Sequence, residues 1–298
     1  MALLYRTARA DELERAQTLV IASINDLTTR HGLGPMASVR PPHFQTFSLR
    51  DDPSGLWVAE EDGDMLGFAF SWVCGGLWFL AELFVRPEQQ GRGIGNELLK
   101  RTLQQAQKSG AANKALITFT FNTVSQGLYI RHGLFPRTPI YNLSVARDEL
   151  RLKGDQLRAE PLDGSPRHLE MLAQIDARAL GFARDKHHRF LLADHTMKGL
   201  LLYEGANLAG YAYVSTTGHI GPLAVIQPGT AEAAFRTALR VAADIGTPQV
   251  SAFVPGAADA ALTVAIQSGM RITFPMLLMS SRYFGDWRHY LPRNPGFM

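Results

Sequence analysis

Closing a disulfide takes two cysteines, and this chain has one, Cys74. An internal disulfide framework and a cysteine-rich metal site are both excluded. Cys74 lies in an apolar stretch and reads as a buried structural residue. Excess charge of one sign is also lacking. Thirty basic and 27 acidic residues leave a net charge of +3. The basic residues are scattered without a run of five or six, so no nucleic-acid stripe is present despite a sequence pI of about 9.1. No uninterrupted apolar run reaches the length of a membrane span. The opening MALLYRTARADELERAQ becomes charged too early for a signal peptide. A cytoplasmic protein with neither nucleic acid nor membrane as partner is expected. His187, His188 and His195 lie near Asp185 and Asp194 but match no ligand spacing, so a solvated helix face and no metal site are expected.

Apolar mass and internal repetition are what the chain does have. At 298 residues with 46% hydrophobic and 19% charged, it is long for one small α/β domain and natural for two. The first half reads as a strand at 3–7, then a helix at 11–30 that Asp11 can cap, with Leu13, Ala16, Leu19 and Val20 on one face. A glycine- and proline-rich loop at 31–42 precedes a short helix at 43–50. Strands follow at 56–60, 65–74 and 77–85, the first two joined through the hairpin signal Asp62-Gly63. A helix to about 108, a strand at 114–121, a helix at 122–132 with Gly133 as C-cap, and strands at 134–136 and 140–146 complete the half. The polar stretch 147–156 reads as a linker. Beyond it the same order recurs, which sets domain limits at 1–147 and 156–298.

The most informative stretch is 80–106, LAELFVRPEQQGRGIGNELLKRTLQQA. Strand-forming residues end at Pro87, three glycines follow, and Ile94, Leu98, Leu99 and Leu103 then recur at helical spacing. Such a turn can aim successive backbone N–H groups into a concavity at a helix N-terminus, which suits a phosphate or pyrophosphate. Arg92 and Lys100 or Arg101 could add positive charge nearby. No Lys-Ser/Thr follows Gly95, which excludes a Walker A loop, and the glycine spacing is wrong for a dinucleotide-binding turn. The alternative is a tight strand–helix connection with no ligand.

Gln90-Gly91-Arg92-Gly93-Ile94-Gly95 resembles the Q/R-x-x-G-x-G/A signature of the GNAT superfamily of acyl-CoA N-acyltransferases. Asn122-x-x-Ser125-x-x-Leu128-Tyr129-x-x-x-Gly133 is similar to that family's N-x-x-A-x-x-L-Y-x-x-x-G-F segment. Ser125 replaces the usual alanine, and Leu134 intervenes before Phe135. The element order over 3–146 matches the GNAT fold. The resemblance therefore implies an α/β (α+β) protein of two tandem GNAT-like domains, each a mixed, mostly antiparallel sheet flanked by helices. The second copy looks degenerate. Aligned on Pro87 and Pro228, with Val85 against Ile226, it has Gly229 but no Gly-x-Gly, and 258–269 has no tyrosine to match Tyr129.

The resemblance also implies a chemistry. Acetyl-CoA is the expected co-substrate, held by backbone N–H groups of Gln90, Gly91, Arg92, Gly93, Ile94, Gly95 and Asn96. Its pantetheine arm would pair with Leu83, Phe84 and Val85, which requires the sheet to splay there. Asn122 and Ser125 would border it, or Asn122 would simply cap a helix. Tyr129 matches the family's general acid, which protonates the departing thiolate; the alternative is a tyrosine that only packs or binds cofactor. Glu82 stands where many members carry an acidic residue, and a carboxylate in an apolar strand is costly unless it has a partner or a role. It is the candidate base, against the alternative of a strand glutamate facing solvent or an arginine. The expected reaction is acetyl transfer to a primary amine of a small molecule or peptide, by direct attack in a ternary complex. The alternative is an acyl-CoA-binding regulatory or interaction module without turnover. A homodimer is compatible with either.

Overall fold

The computed structural model describes residues 3–298. These form two compact units, described separately below. The first comprises residues up to Ile117, then Phe121–Phe135 and Ser280–Arg282; the second comprises Thr118–Thr120, Pro136–Met279 and Tyr283–Met298.

The first unit runs β1 (Leu4–Thr7), α1 (Leu13–Arg30), α2 (His43–Asp51), β2 (Leu56–Glu61), β3 (Asp64–Cys74), β4 (Leu77–Val85), α3 (Ile94–Lys108), β5 (Asn113–Phe119) and α4 (Thr123–Arg131). Its sheet order is β1-β2-β3-β4-β5, antiparallel except for the parallel β4–β5 pair. The β2–β3 turn has Asp62 at φ 54° and Gly63 at φ 82°, the double left-handed turn that the Asp-Gly pair favours. α3 packs on this sheet through Ile94 and Leu98 against Ala59, Leu66, Ala69 and Val85. The approach is close: a Cβ on Gly67 of β3 would meet Leu98 Cδ1 at 2.9 Å. Asp11 does not cap α1. Instead Glu12, buried, accepts from the Arg9 N–H at 2.9 Å and pairs with Arg6, because a carboxylate one residue further on reaches both.

The second unit runs β6 (Phe135–Ala146), β7 (Arg158–Pro161), α5 (Pro166–Leu180), α6 (Asp185–Ala193), β8 (Met197–Glu204), β9 (Asn207–Ser215), β10 (His219–Val225), α7 (Ala231–Ile245), β11 (Gln249–Pro255), α8 (Asp259–Gln267), β12 (Arg271–Ser280) and β13 (Tyr290–Leu291). Its sheet order is β12-β6-β11-β10-β9-β8-β7, with β13 added beside β10. The two strands expected at 134–136 and 140–146 are one strand. Pro136 and Pro139 interrupt the donors without ending the extended chain, and Ile140 to Ala146 pair antiparallel with Pro255 to Gln249 of β11. That ladder carries residues 136–147 into the second unit. α7 buries Phe235, Ala238, Leu239 and Ala242 against this sheet.

The repeat is visible in backbone register. Gly67 lies opposite Val85, and Gly210 opposite Val225. The Arg86 N–H bonds the Leu66 carbonyl at 2.9 Å, and the Ile226 N–H bonds the Ala209 carbonyl at 2.8 Å. Val85 therefore corresponds to Val225 rather than to Ile226. Matching the prolines displaced the comparison by one residue, because the second turn is longer before its proline.

Candidate active site

The site begins with a departure of two strands. β4 and β5 pair in parallel only from Leu77–Asn113 to Leu80–Leu116. Beyond that point β4 continues to Val85, and among the described residues no strand pairs with it on that side. An irregularity in the β3–β4 register, where Ser71 faces Leu80 and Phe70 faces Glu82, leaves Ala81 as an extra residue. Such a bulge re-aims the strand that follows. Leu83 and Phe84 are half-buried and bonded to β3 on one edge only, so their other edge is available to a ligand that pairs as a strand does.

The glycine turn follows directly. Gly91 and Gly93 have φ of 84° and 80° and are exposed, and Gly93 is the N-cap of α3. Glu97 N–H makes the bond to the Gly93 carbonyl, at 3.2 Å. The N–H groups of Ile94, Gly95 and Asn96 precede it and have no carbonyl four residues back in the helix. They add to the positive end of the α3 dipole. A Cβ at Gly95 would make only ordinary contact with Val85 Cγ2 at 3.6 Å. Gln90 ties the turn to the strand, donating from Nε2 to the Val85 carbonyl at 3.2 Å. The candidate cations are partnered within the protein. Arg92 makes a two-pronged pair with Glu61 at 2.9–3.0 Å. Arg101 donates to Glu97 at 2.9 Å, and Lys100 lies 3.9 Å from the same carboxylate. The turn offers backbone N–H groups rather than loose arginines.

Tyr129 is 5% exposed on α4. Burial raises its pKa, and a hydrogen bond with Ser125 one turn earlier opposes the rise. The phenol is thus fully protonated at neutral pH, as a proton donor must be. Asn122 caps α4, its side-chain oxygen accepting from the Ser125 N–H at 3.2 Å. The Asn96 oxygen accepts from His132 Nε2 at 2.8 Å, joining α3 to α4.

Glu82 lies on β4 beside the bulge. Its Oε1 accepts from Gln45 Nε2 at 2.8 Å, and that same amide nitrogen is 2.9 Å from Gln17 Oε1. Its Oε2 is buried and has no hydrogen-bond partner. Burial pushes the carboxyl up to about 7, with the Gln45 bond as the opposing influence. Neither a solvent-facing glutamate nor an arginine-paired one describes it. Gln17 and Gln45 escaped the sequence reading because a glutamine on an amphipathic helix looks like part of a solvated face. A polar residue among the apolar positions of 43–50 is the signal that was there to find.

The second unit differs at each corresponding point. β10 pairs with β11 only at His219–Ser251 and Ile220–Ala252, so this sheet splays as well. Its gap is occupied. β13 pairs antiparallel with β10, Leu291 against Leu223 and Tyr290 against Ala224. By register these are the positions of Leu83 and Phe84. The Val225 N–H donates to the His289 carbonyl, and His289 Nδ1 lies on the Val225 carbonyl, both at 2.9 Å. Pro222 stands near the place of Glu82. The expected solvated face of α6 is also absent: His187 and His188 are each 1% exposed. His188 bridges Asp176 Oδ2 and the Tyr213 hydroxyl at 2.9 and 3.0 Å. Arg184, wholly buried, pairs with Asp176 at 2.9 Å and donates to the hydroxyls of Tyr211 and Tyr290 and to the Met298 main-chain oxygen. Arg184 and His188 together hold the Asp176 carboxyl far below the usual range despite its burial. Among the described residues no group of three or more His, Cys, Asp or Glu is placed to hold a metal, and no helix is long and apolar enough to cross a membrane.

Known proteins place these features in a family. Residues 23–134 match the acetyltransferase (GNAT) family. An uncharacterised N-acetyltransferase of Archaeoglobus fulgidus is 38% identical over 68 residues, a match spanning 20% of this chain and 44% of that relative. Over whole chains, a Pyrococcus horikoshii protein assigned as an acetyltransferase superposes with a TM-score of 0.76 at 17% identity, covering 99% of this chain and 96% of the other. A tandem GNAT protein from the clavulanic acid biosynthesis pathway superposes with a TM-score of 0.61 at 15% identity, covering 94% and 98%. Residues 23–134 thus match the family's acetyltransferase domain, and over its whole length the chain has the fold of tandem GNAT proteins.

Proposed function

We propose that the first unit transfers an acetyl group from acetyl-CoA to the primary amine of a small molecule or peptide, in the cytoplasm, by direct attack in a ternary complex. The observation that carries this reading is the open edge of β4 at Leu83 and Phe84, between the glycine turn and Glu82. The pantetheine arm pairs along that edge, and the pyrophosphate rests on the N–H groups from Gln90 to Asn96. No metal takes part.

The acceptor arrives as an ammonium, since an amine of pKa about 10.4 is mostly cationic at neutral pH. Glu82 takes its proton, directly or through a water, at a pKa close to the working pH. The free amine attacks the thioester carbon, forming the C–N bond as the C–S bond breaks. Tyr129 donates its proton to the sulfur, the nitrogen gives up its second proton to the resulting phenolate as the amide forms, and Glu82 returns the first to solvent. The products are an amide and the CoA thiol, with one proton released. A binding module without turnover would need neither a buried carboxyl held near neutrality nor a buried, protonated phenol at position 129.

The test is a panel of primary amines with acetyl-CoA, followed by thiol release. At least one amine should be acetylated with kcat/KM falling below pH 7. Tight CoA binding with no amine turned over would leave the binding-module reading in its place.

A further inference from the structure

Glu82 is held by Gln45 of α2, which is itself bonded to Gln17 of α1. Gln45, only 9% exposed on α2, contacts Glu82 Oε1 through Nε2 at 2.8 Å. The same nitrogen contacts Gln17 Oε1 of α1 at 2.9 Å. An amide NH2 carries two hydrogens, so one nitrogen serves both acceptors and is turned by neither alone. The result divides the two carboxylate oxygens: Oε1 is engaged and Oε2 is left with no partner.

We infer that Gln17 and Gln45 form a positioning relay for the base. They fix the Glu82 rotamer through Oε1 so that Oε2 alone meets the acceptor ammonium. This rests on the reading of Glu82 as base given above. A glutamate with three rotatable side-chain bonds and no such partner would sample several directions, and the fraction aimed at the amine would fall. The relay is also neutral. A lysine or arginine at position 45 would fix Oε1 equally well, but would pull the carboxyl back toward its ordinary range and weaken the base. The surroundings agree. Phe70 of β3 faces Glu82 in register, α1 brings Gln17, α2 brings Gln45, and no charged side chain influences its titration; only burial and the Gln45 bond do.

The test compares Gln45→Leu and Gln17→Leu with the full-length parent. The Glu82 carboxyl is followed by NMR of the 13C-labelled side chain, identified as the resonance missing in Glu82→Gln. Removing the Gln45 bond takes away what opposes burial, so the carboxyl pKa should rise by about one unit from about 7. The acidic limb of kcat/KM should move alkaline with it, with CoA affinity unchanged and rate recovered at high pH. Gln17→Leu frees the amide to turn and should produce a smaller shift of the same sign. An unmoved carboxyl pKa in a folded variant of either kind overturns the relay. A moved carboxyl pKa with an unmoved rate limb keeps the relay and removes Glu82 as the base.

Discussion

The two units are the same fold with opposite treatments of one gap. In each, a central strand leaves its parallel neighbour after a matching residue, Leu80 in one and Ile220 in the other. In the first unit the freed edge is open, with Glu82 at its start and the glycine turn following its end. In the second the edge is taken by β13, and Val225 is bonded on both its N–H and carbonyl by His289. The gap is therefore a property of the fold, since it forms with or without a turn that can hold phosphate. What the first unit adds is an unoccupied edge, a glycine turn and Glu82, the features on which the proposed site rests.

The filled gap should be the harder to disturb, and its anchor gives the largest expected effect. Arg184→Met removes one partner of a wholly buried pair and leaves the Asp176 carboxylate with only His188 and the Tyr211 hydroxyl. Such losses cost about 3–5 kcal/mol. Calorimetry should show unfolding of the second unit at a markedly lower temperature while the first unit keeps its acetyl-CoA affinity. Next is the glycine turn. Gly93→Val forces a β-branched residue to φ 80° and should weaken CoA binding at least about 100-fold. Gly229→Val in the second unit, where φ is not positive and no atom lies within 4 Å, should leave binding unchanged. Equal losses in both variants would break the comparison.

Smaller effects sharpen the chemistry. Tyr129→Phe should lower kcat by about 10- to 100-fold, the lower range for loss of a positioned acid, with CoA affinity within about two-fold. A large loss of affinity would instead make Tyr129 a cofactor contact. The least effect concerns stability. The Glu82 carboxyl is raised on folding from 4.5 to about 7, so its ionisation opposes folding. That cost is absent below the unfolded value and complete above the folded one. Glu82→Gln should therefore raise the melting temperature at pH 8, by about 2–4 °C for each kcal/mol recovered, and leave it unchanged at pH 4.

The parts of this contrast legible in the sequence were those written in consecutive residues. The glycine turn, the Asp62-Gly63 hairpin and the Asn122–Tyr129 segment each declare themselves within a few positions. Glu82 was legible as a charge among strand residues. The rest depends on partners far apart along the chain. His187 and His188 read as solvent-facing because Asp176, Tyr211 and Tyr213 are not near them in sequence. β13 has only two residues, too few for any periodic signal, and its role exists only because β10 leaves a gap. Gln45 meets Gln17 and Glu82 only in the fold, across 28 and 37 residues of sequence. β6 was divided in two because its prolines remove donors, although the register with β11 continues beyond them.

The central claim is that one unit has an open cofactor edge and the other a closed one. Isothermal titration of the full chain with CoA tests it most directly. The account predicts one site per chain, lost in Gly93→Val. Two sites per chain, or a single site that survives Gly93→Val, would contradict it.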